Sequence, residues 1–491
     1  MTSGNCLVLG MLLLCVGSVA GGQARPKYEP LNIPGKPKFP VPEATLLQIR
    51  DDQDVEKIRA HAWRLFAGLT NTRSGQPIWE SWYTKCDVGL TFLGCPPLNP
   101  GDKSNEHRLI QGLELPVQTL LEFEQSINLP LPNPLVDFQK NEASSSTIAT
   151  FMTKFLEHPE FAAVLFNQPA ATHIRKKMLN NSKVLQVRQR LAAHSVRAEQ
   201  EIPPFPNDTV VLKTAWELVH LVDGYLTTPV SVWDPDRQAS WQTVQDKQLG
   251  NSSDWGKLVR IDTTPGKRCA DRDYDGVGGQ GPIAPLDCFY AFQIDKDSPS
   301  WNLINQIGVF RVPPESPGTY YLVLMAIHVI TKETHDWVWA TFWWYNRPSN
   351  REFGPDAAAR RILGGNKWRH FLMNATLSRV TPLEFPPKSG EPKICFNPYL
   401  EETQPNGMVS NCIQCHERAV YSRDKSKIAQ GIKLGLPWRD GTPANGTAPN
   451  PHYFDDALQT DFMWSIAMAQ DTEFHDFLRQ VYAQLQALQS Q

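Results

Sequence analysis

The chain has 491 residues, with 48 Lys and Arg against 51 Asp and Glu, which gives a formal net charge of −3. This near balance of charge excludes a strongly basic nucleic-acid-binding protein. Hydrophobic residues make up 41% of the sequence, and the 40 Pro and 15 Trp exceed ordinary usage. The length and composition predict a globular protein of two or three domains.

The first residues of the chain indicate export. Residues 6–20 form an apolar stretch that ends in small residues and is too short to span a bilayer. We interpret residues 1–24 as a signal peptide, and an uncleaved anchor helix is the alternative because no Lys or Arg precedes the apolar stretch. No later stretch is apolar enough to cross a membrane. We therefore expect a periplasmic or secreted mature chain without a membrane span.

The cysteines left after removal of the signal peptide fall into groups. Two pairs are close in sequence and far from other cysteines, and an oxidising compartment favours disulfides between such neighbours. We therefore predict the disulfides Cys86–Cys95 and Cys269–Cys288. Cys395 has no predicted partner.

The order of sequence patterns predicts the elements of the fold. Residues 25–43 are rich in proline, which fixes φ and removes a backbone donor, so we predict an extended surface arm there. Apolar residues recur at helical spacing in residues 44–70 and across roughly 105–200. The middle of the chain has Val-, Ile-, Tyr- and Phe-rich runs that predict strands. Two of these runs, 320–331 and 337–345, are spaced as in a β-hairpin.

A second cluster of Pro and Gly, at residues 381–392, predicts a linker. It separates a large domain, residues 44–390, from a small C-terminal module, residues 391–491. We predict an α+β fold in which the large domain combines helices with a mainly antiparallel sheet.

One motif in the C-terminal module carries chemistry. Cys412, Cys415 and His416 form the Cys-x-x-Cys-His pattern of c-type haem attachment. On one helical turn the two thiols can form thioethers with the haem vinyl groups, and the adjacent imidazole can bind the iron. We therefore predict covalent haem c on Cys412 and Cys415, with His416 as an iron ligand, in an all-α, cytochrome c-like module.

Three other interpretations of this motif stay open. A thioredoxin-like dithiol is typical after a strand in a βαβ unit, whereas a Pro-Asn-Gly turn at residues 405–407 precedes this motif. A zinc site needs a second Cys or His pair at ligand spacing, and none follows. The third alternative is a structural disulfide.

Four residues are candidates for the second axial ligand of the iron: Met463, Met468, His452 and His475. A thioether ligand would raise the reduction potential, a second histidine would lower it, and an open position would permit small-molecule chemistry. We favour Met463, followed by Met468, although methionine at helical spacing is usually a core residue.

Residues 271–276 begin like a calcium-binding loop. The carboxylates of Asp271, Asp273 and Asp275 alternate and can point at one cation, and Gly276 permits a sharp turn. The bidentate Glu expected at the twelfth position is replaced by Pro282, so a plain acidic turn is the alternative to calcium.

The predicted hairpin contains four tryptophans and two histidines. His328 and His335, together with Lys213, Trp216 and Glu217, are candidates for the lining of a pocket. The alternative is that His328 is a buried core residue and that the tryptophans pack in the core.

The haem motif and four other stretches together resemble a group of exported bacterial proteins generally described as cytochrome c family proteins. The stretches are residues 63–69, 75–82, 337–342 and 460–465. The likeness covers roughly residues 55–480 and implies a periplasmic location and one covalent haem at the motif, but no particular substrate. The chain departs from relatives in which an acidic residue and a histidine follow residue 342, because Trp343 and Trp344 stand there.

We therefore expect a periplasmic monohaem cytochrome that transfers single electrons. Its partner would be a redox protein or a small-molecule electron donor or acceptor. The alternatives are an oxidoreductase whose substrate binds in the Trp-rich domain and a haem-containing binding or sensor protein. No phosphate-binding loop, nucleophile elbow or zinc-protease motif is present, and the sequence identifies no catalytic residue.

Overall fold

The fold is taken from a computed structural model. It describes residues 28–71, 76–91, 95, 104–114, 160–192, 200–237, 252–276, 281–295, 298–307, 318–378, 395–401, 412–422, 427 and 453–468. The predicted signal peptide, the predicted linker and the ligand candidates His452 and His475 lie outside these residues.

The described residues form an α+β fold, as predicted. The strands are β1 (Tyr83–Thr84), β2 (Leu113–Glu114), β3 (Glu160–Phe166), β4 (Val210–Val222), β5 (Thr227–Ser231), β6 (Leu258–Asp262), β7 (Ile283–Pro285), β8 (Ala291–Ile294), β9 (Gly318–Thr331), β10 (Val338–Trp344), β11 (Phe371–Thr376), β12 (Val420–Tyr421) and β13 (Leu458–Gln459). The helices are α1 (Glu43–Asp51), α2 (Val55–Thr70), α3 (Lys85–Val88), α4 (Asn105–Gln111), α5 (Gln168–Lys176), α6 (Ser182–Ala192), α7 (Pro299–Ile307), α8 (Ala357–Ile362), α9 (Asn366–Arg369), α10 (Cys412–His416) and α11 (Trp464–Ala467).

Eight of these strands form one antiparallel sheet. Its order is β1-β3-β4-β9-β10-β11, with β2 also paired to β3 and β8 also paired to β9. The predicted hairpin is confirmed: β9 and β10 pair from Val338 opposite Thr331 to Trp343 opposite Ala326. Both strands are rich in β-branched and aromatic residues, which favour a buried, pleated surface. The sheet therefore forms the scaffold on which the other elements pack.

Helix α2 covers one face of the sheet. Its N-terminus is capped by Asp54, whose side chain accepts a hydrogen bond from the Lys57 amide. Phe66 stacks on Phe342 of β10 with ring centroids 4.2 Å apart, and Trp63 lies 5.4 Å from the same ring. Contacts of this kind bury large apolar areas and account for much of the stability of such a core.

The C-terminal module packs on the opposite face. Neighbouring strands place Phe166, Val211, Ile330 and Trp339 in register across this face. These side chains share one buried cluster with Cys412, Ile413 and Phe462 of the C-terminal module. The motif helix α10 is therefore held against the sheet by hydrophobic burial.

The described part of the C-terminal module contains strands as well as helices. Strands β12 and β13 form an antiparallel pair, in which Tyr421 lies opposite Leu458. Helices α10 and α11 are each only about one turn long. These residues therefore do not show the all-α module that the sequence predicted.

The turn between β9 and β10, residues 332–337, joins three parts of the chain. The buried carboxylate of Glu333 accepts hydrogen bonds from the Val41 amide in the N-terminal arm (2.7 Å) and from His61 in α2 (3.0 Å). Lys332 Nζ donates to Asp461 Oδ1 of the C-terminal module at 2.6 Å. One tight turn thus anchors segments from both ends of the described structure.

Both predicted disulfides are confirmed. Cys86 is bonded to Cys95, and Cys269 is bonded to Cys288, with Cα atoms 5.7 Å and 4.7 Å apart. Among the described cysteines, Cys395, Cys412 and Cys415 are free thiols.

We expect the double variant Cys269→Ala/Cys288→Ala to lose about 3 kcal/mol of unfolding free energy, because the bond restricts the unfolded chain. The bridge spans 19 residues in sequence, whereas Cys86–Cys95 spans only 9. The matched variant Cys86→Ala/Cys95→Ala is therefore expected to lose less. Urea denaturation at neutral pH measures both losses, and equal stability of the wild type and the first variant would contradict this expectation.

Candidate functional site

The site is built around α10, a single helical turn on the sheet. Cys412 and Ile413 are buried against the sheet, whereas Cys415 and His416 are partly exposed. The turn thus carries two thiols and one imidazole, of which the Cys412 thiol faces the sheet.

A backbone hydrogen bond orients His416. Its Nδ1 lies 2.8 Å from the carbonyl oxygen of Phe462. Because a carbonyl oxygen only accepts, Nδ1 carries the proton and Nε2 keeps its lone pair. Burial lowers the pKa of His416 to about 4, so the imidazole is neutral at physiological pH. A neutral imidazole with Nδ1 bonded in this way is the form that binds a metal through Nε2.

The Phe462 carbonyl lies in a loop with unusual backbone geometry. Asp461 and Phe462 have φ values of 47° and 67°, in the left-handed region that costs a side-chain-bearing residue about 1–2 kcal/mol. The Asp461 carboxylate holds this loop, because it accepts hydrogen bonds from the Phe205 amide (3.0 Å), Trp337 Nε1 (3.0 Å) and Lys332 Nζ (2.6 Å). The loop that orients His416 is therefore fixed by a buried charge network.

Strands β4, β9 and β10 supply the other wall of the site. The His328 ring lies 5.8 Å from the His416 ring, and the Trp339 ring lies 4.6 Å from it. Lys213 of β4 pairs in register with His328. Burial, and then the neighbouring His416 and Lys213, hold the pKa of His328 well below its ordinary value. The sheet thus brings a second neutral imidazole to the motif.

The thiols of the site are poor nucleophiles. Cys412 Sγ lies 3.5 Å from Cys395 Sγ in the buried cluster. The hydrogen bond with Cys395 and burial raise the pKa of Cys412 well above its ordinary value, and burial raises the pKa of Cys415 to about 11. A thiol–disulfide exchange site needs thiols of lowered pKa. The thioredoxin-like interpretation is therefore disfavoured.

A zinc site at the motif is disfavoured by donor distances. In the described part of the chain, one group of three Cys, His, Asp or Glu donors has its atoms within 4.8 Å of one another, and it is Cys269, Cys288 and His370. Two members of that group form a disulfide. Cys412, Cys415 and His416 do not converge in this way, as a tetrahedral zinc site would require.

The two methionine candidates occupy different cores. Met463 is buried in the cluster that contains Cys412 and Ile413, and its backbone directly follows the Phe462 carbonyl. Met468 belongs to the main core cluster, which also contains Phe396 and Tyr399. Axial ligation by either residue stays a prediction.

The three candidate calcium ligands lie in ion pairs with arginine. The pairs are Asp271 with Arg360 and Arg369, and Asp273 and Asp275 with Arg347. A cation would have to replace these partners. Calcium binding at this loop stays a prediction.

The proposed pocket residues of the hairpin are only partly brought together. Lys213 and His328 are neighbours, but Trp216 stacks on Phe292 in the main core and the His335 side chain is exposed. The four hairpin tryptophans have no exposed surface, which fits the alternative of a packed aromatic core. Those four are Trp337, Trp339, Trp343 and Trp344.

Sequence reasoning did not assign roles to Asp461 or Cys395. Asp461 lies in a stretch that carried the family resemblance, residues 460–465, but a lone Asp there gives no signal of a buried ion pair. Cys395 has no predicted partner in the sequence, and its position beside Cys412 depends on the docking of residues 395–401. Asn397 fixes that docking by donating to Thr341 Oγ1 (2.6 Å) and to the Phe342 carbonyl oxygen (3.1 Å).

Comparisons with protein-family models, with curated proteins and with solved structures found no match. Within the described ranges, no helix combines the length and apolarity needed to cross a membrane.

Proposed function

We propose that this protein is an exported monohaem c-type cytochrome that transfers single electrons. One covalent haem c would be held by Cys412 and Cys415, with His416 as an iron ligand, in a cytochrome c-like C-terminal module. The observation that carries the proposal is the hydrogen bond from His416 Nδ1 to the Phe462 carbonyl oxygen, because it leaves Nε2 unprotonated. The bound haem would supply a one-electron couple at its iron.

The surroundings of α10 support this assignment. His416 is neutral, and Trp339 and Phe462 provide aromatic surface beside it, with ring centroids 6.1 Å apart. The raised pKa values of Cys412 and Cys415 disfavour reactions of the free thiols. We propose instead that both side chains form thioether bonds to haem.

Export is part of the proposal. Two disulfides favour an oxidising compartment, and covalent haem c is suited to the same compartment. The mature chain would exchange electrons in the periplasm, or after secretion, with a redox protein or a small-molecule donor or acceptor.

The test is covalent haem retention after expression in a host that has haem c maturation enzymes. The wild type is expected to keep haem through denaturing electrophoresis, and the variant Cys412→Ala/Cys415→Ala is expected to keep none. Cys395→Ala is the matched control, because it removes the neighbouring buried thiol and leaves the motif intact. A wild type without haem, or equal retention in the double variant, would refute the proposal.

A further inference from the structure

We propose that the outward face of helices α5 and α6, residues 168–192, binds the surface of an anionic phospholipid membrane. The chain would lie on the bilayer without spanning it. The inference goes beyond the proposed function, because it involves neither the Cys-x-x-Cys-His motif nor haem. We call this face the basic surface.

The first support is an uneven distribution of charge along the chain. Residues 161–198 contain seven Lys and Arg and no Asp or Glu. This segment contributes +7 to a total of −3, so the rest of the chain carries −10. Such an asymmetry orients a protein in the field of a charged surface. The basic surface would therefore be the side that turns towards an anionic membrane.

The second support is the exposure of the cations. Lys176, Lys177, Lys183 and Arg190 are all exposed. Among the residues that the structure describes, none of these four forms an ion pair with a carboxylate. A cation that is not neutralised within its own chain keeps its full attraction for an anionic surface. Each Lys or Arg that reaches such a surface strengthens binding about fivefold.

Helix α6 is anchored to the fold by one of its faces. Leu185, Gln189 and Ala192 are buried on this face. Gln189 Nε2 also donates a hydrogen bond to the carbonyl oxygen of Asp456 in the C-terminal module, at 2.5 Å. The orientation of α6 is therefore set by packing, and its opposite face points away from the protein.

The third support is an apolar stripe on that opposite face of α6. Val184, Val187 and Leu191 are spaced by three and four positions, which places them along one side of the helix. Val187 is 48% exposed and Leu191 is 67% exposed. Lys183 and Arg190 border the stripe, because each precedes one of its residues. Aliphatic residues beside Lys and Arg are typical of a helix that lies in a membrane interface.

The composition of the basic surface favours a lipid bilayer over a protein partner. Protein–protein interfaces are enriched in aromatic residues and depleted in Lys. Residues 168–192 contain three Lys and no Phe, Trp or Tyr, and Met178, between the two helices, is 51% exposed. Aliphatic side chains can enter the boundary between headgroups and acyl chains while flanking cations contact the phosphates. We therefore assign the basic surface to anionic phospholipid.

The test is cosedimentation of the mature chain, without residues 1–24, with lipid vesicles. The chain is expected to bind vesicles of equal parts phosphatidylglycerol and phosphatidylcholine, and not vesicles of phosphatidylcholine alone. Binding is expected to weaken as salt is added, because screening shortens the reach of the cations. Lys183→Gln/Arg190→Gln is expected to bind about 30-fold more weakly, at about fivefold for each cation removed.

The matched control is Arg351→Gln/Arg361→Gln. Both arginines are exposed and lie in or near α8, which packs on α2 at the other face of the sheet. This variant has the same net charge as Lys183→Gln/Arg190→Gln and is expected to bind the vesicles like the wild type.

A second pair of variants tests the apolar stripe without changing any charge. Val187→Ser/Leu191→Ser is expected to bind the anionic vesicles about tenfold more weakly, because two aliphatic side chains no longer enter the bilayer. Leu226→Ser/Leu258→Ser is the matched control, since these residues are 59% and 52% exposed elsewhere on the chain. The control is expected to bind like the wild type.

Three results would overturn the proposal. They are equal binding to both kinds of vesicle, equal loss of binding in a variant and its control, and no binding to the anionic vesicles. Binding to immobilised polyglutamate in the absence of vesicle binding would point to an acidic protein instead. Circular dichroism verifies that each variant is folded. None of these measurements uses haem, so their failure would leave the proposed function unchanged.

Discussion

The variant Asp461→Ala is expected to lose about 3–5 kcal/mol of unfolding free energy. Its carboxylate is 2% exposed and pairs with Lys332, whose side chain is 7% exposed. Removal of the carboxylate would leave a buried ammonium without its counter-charge. It would also remove the acceptor of Trp337 Nε1 and of the Phe205 amide, and unmade buried hydrogen bonds are costly.

Urea denaturation of the wild type and of Asp461→Ala at neutral pH measures this loss of unfolding free energy. Lys57→Ala is the matched control, because it removes an ion pair with Asp54 in which the Lys57 side chain is 63% exposed. An exposed pair contributes at most about 1 kcal/mol. The double variant Asp461→Ala/Lys332→Met should recover part of the loss, since it removes the unpaired charge. A loss in Asp461→Ala no larger than that in Lys57→Ala would contradict the role of this network.

The second prediction with a large expected effect concerns how the free energy of unfolding depends on pH, and it originates at Glu80. This side chain is 2% exposed, and neither carboxylate oxygen hydrogen-bonds to a residue in the described ranges. Burial, with a smaller contribution from the nearby Glu106, raises the pKa of Glu80 to about 8. Glu80 is therefore protonated in the folded protein at neutral pH.

The contribution of Glu80 to stability is expected to fall as the pH rises from about 4.5 to about 8. In the unfolded chain the carboxyl ionises near its ordinary pKa of 4.5, whereas the folded protein keeps the proton up to about 8. The contribution of Glu80 to the free energy of unfolding is therefore fully present below pH 4.5 and is lost above pH 8. The loss is on the order of 4–5 kcal/mol, at 1.36 kcal/mol for each pKa unit.

Urea denaturation across this pH range tests the effect. Glu80→Gln is expected to reduce the slope, because the amide cannot ionise and has nearly the same shape, whereas the buried Glu401, whose pKa burial also raises to about 8, keeps its own contribution. Glu56→Gln, a change at an exposed carboxylate, is expected to keep the wild-type slope. An unchanged slope in Glu80→Gln would show that another group is responsible.

Several features with a local pattern in the sequence were predicted correctly, but residues 160–166, inside a region predicted to be helical, form strand β3 because they pair with β4 in the sheet. The β9–β10 hairpin followed from two β-rich runs with a short connection, and both disulfides followed from close cysteine spacing. The α+β class followed from the change between helical and strand-like periodicity. In each case the pattern that supports the prediction lies within a short stretch of the sequence. Contacts between distant segments therefore did not change the outcome.

Features that depend on packing between distant segments could not be predicted. The sequence indicates His328 as a candidate pocket residue, but its position beside His416 depends on sheet register and on the docking of α10. Trp216 was a candidate for the hairpin pocket, but its indole stacks on Phe292 in the main core, next to a register shift of β4 between Ala215 and Trp216. A single sequence carries no pattern for such contacts.

The turn between β9 and β10 has a consequence for the order of folding. Its Glu333 binds the Val41 amide across 292 positions of the chain, and its Lys332 binds Asp461 across 129. Closing such long loops costs chain entropy, so contacts of this kind slow folding. The hairpin can form from neighbouring residues, whereas the arm and the His416 loop join it only after the chain has collapsed. We therefore expect the elements of the proposed haem site to be among the last to become ordered.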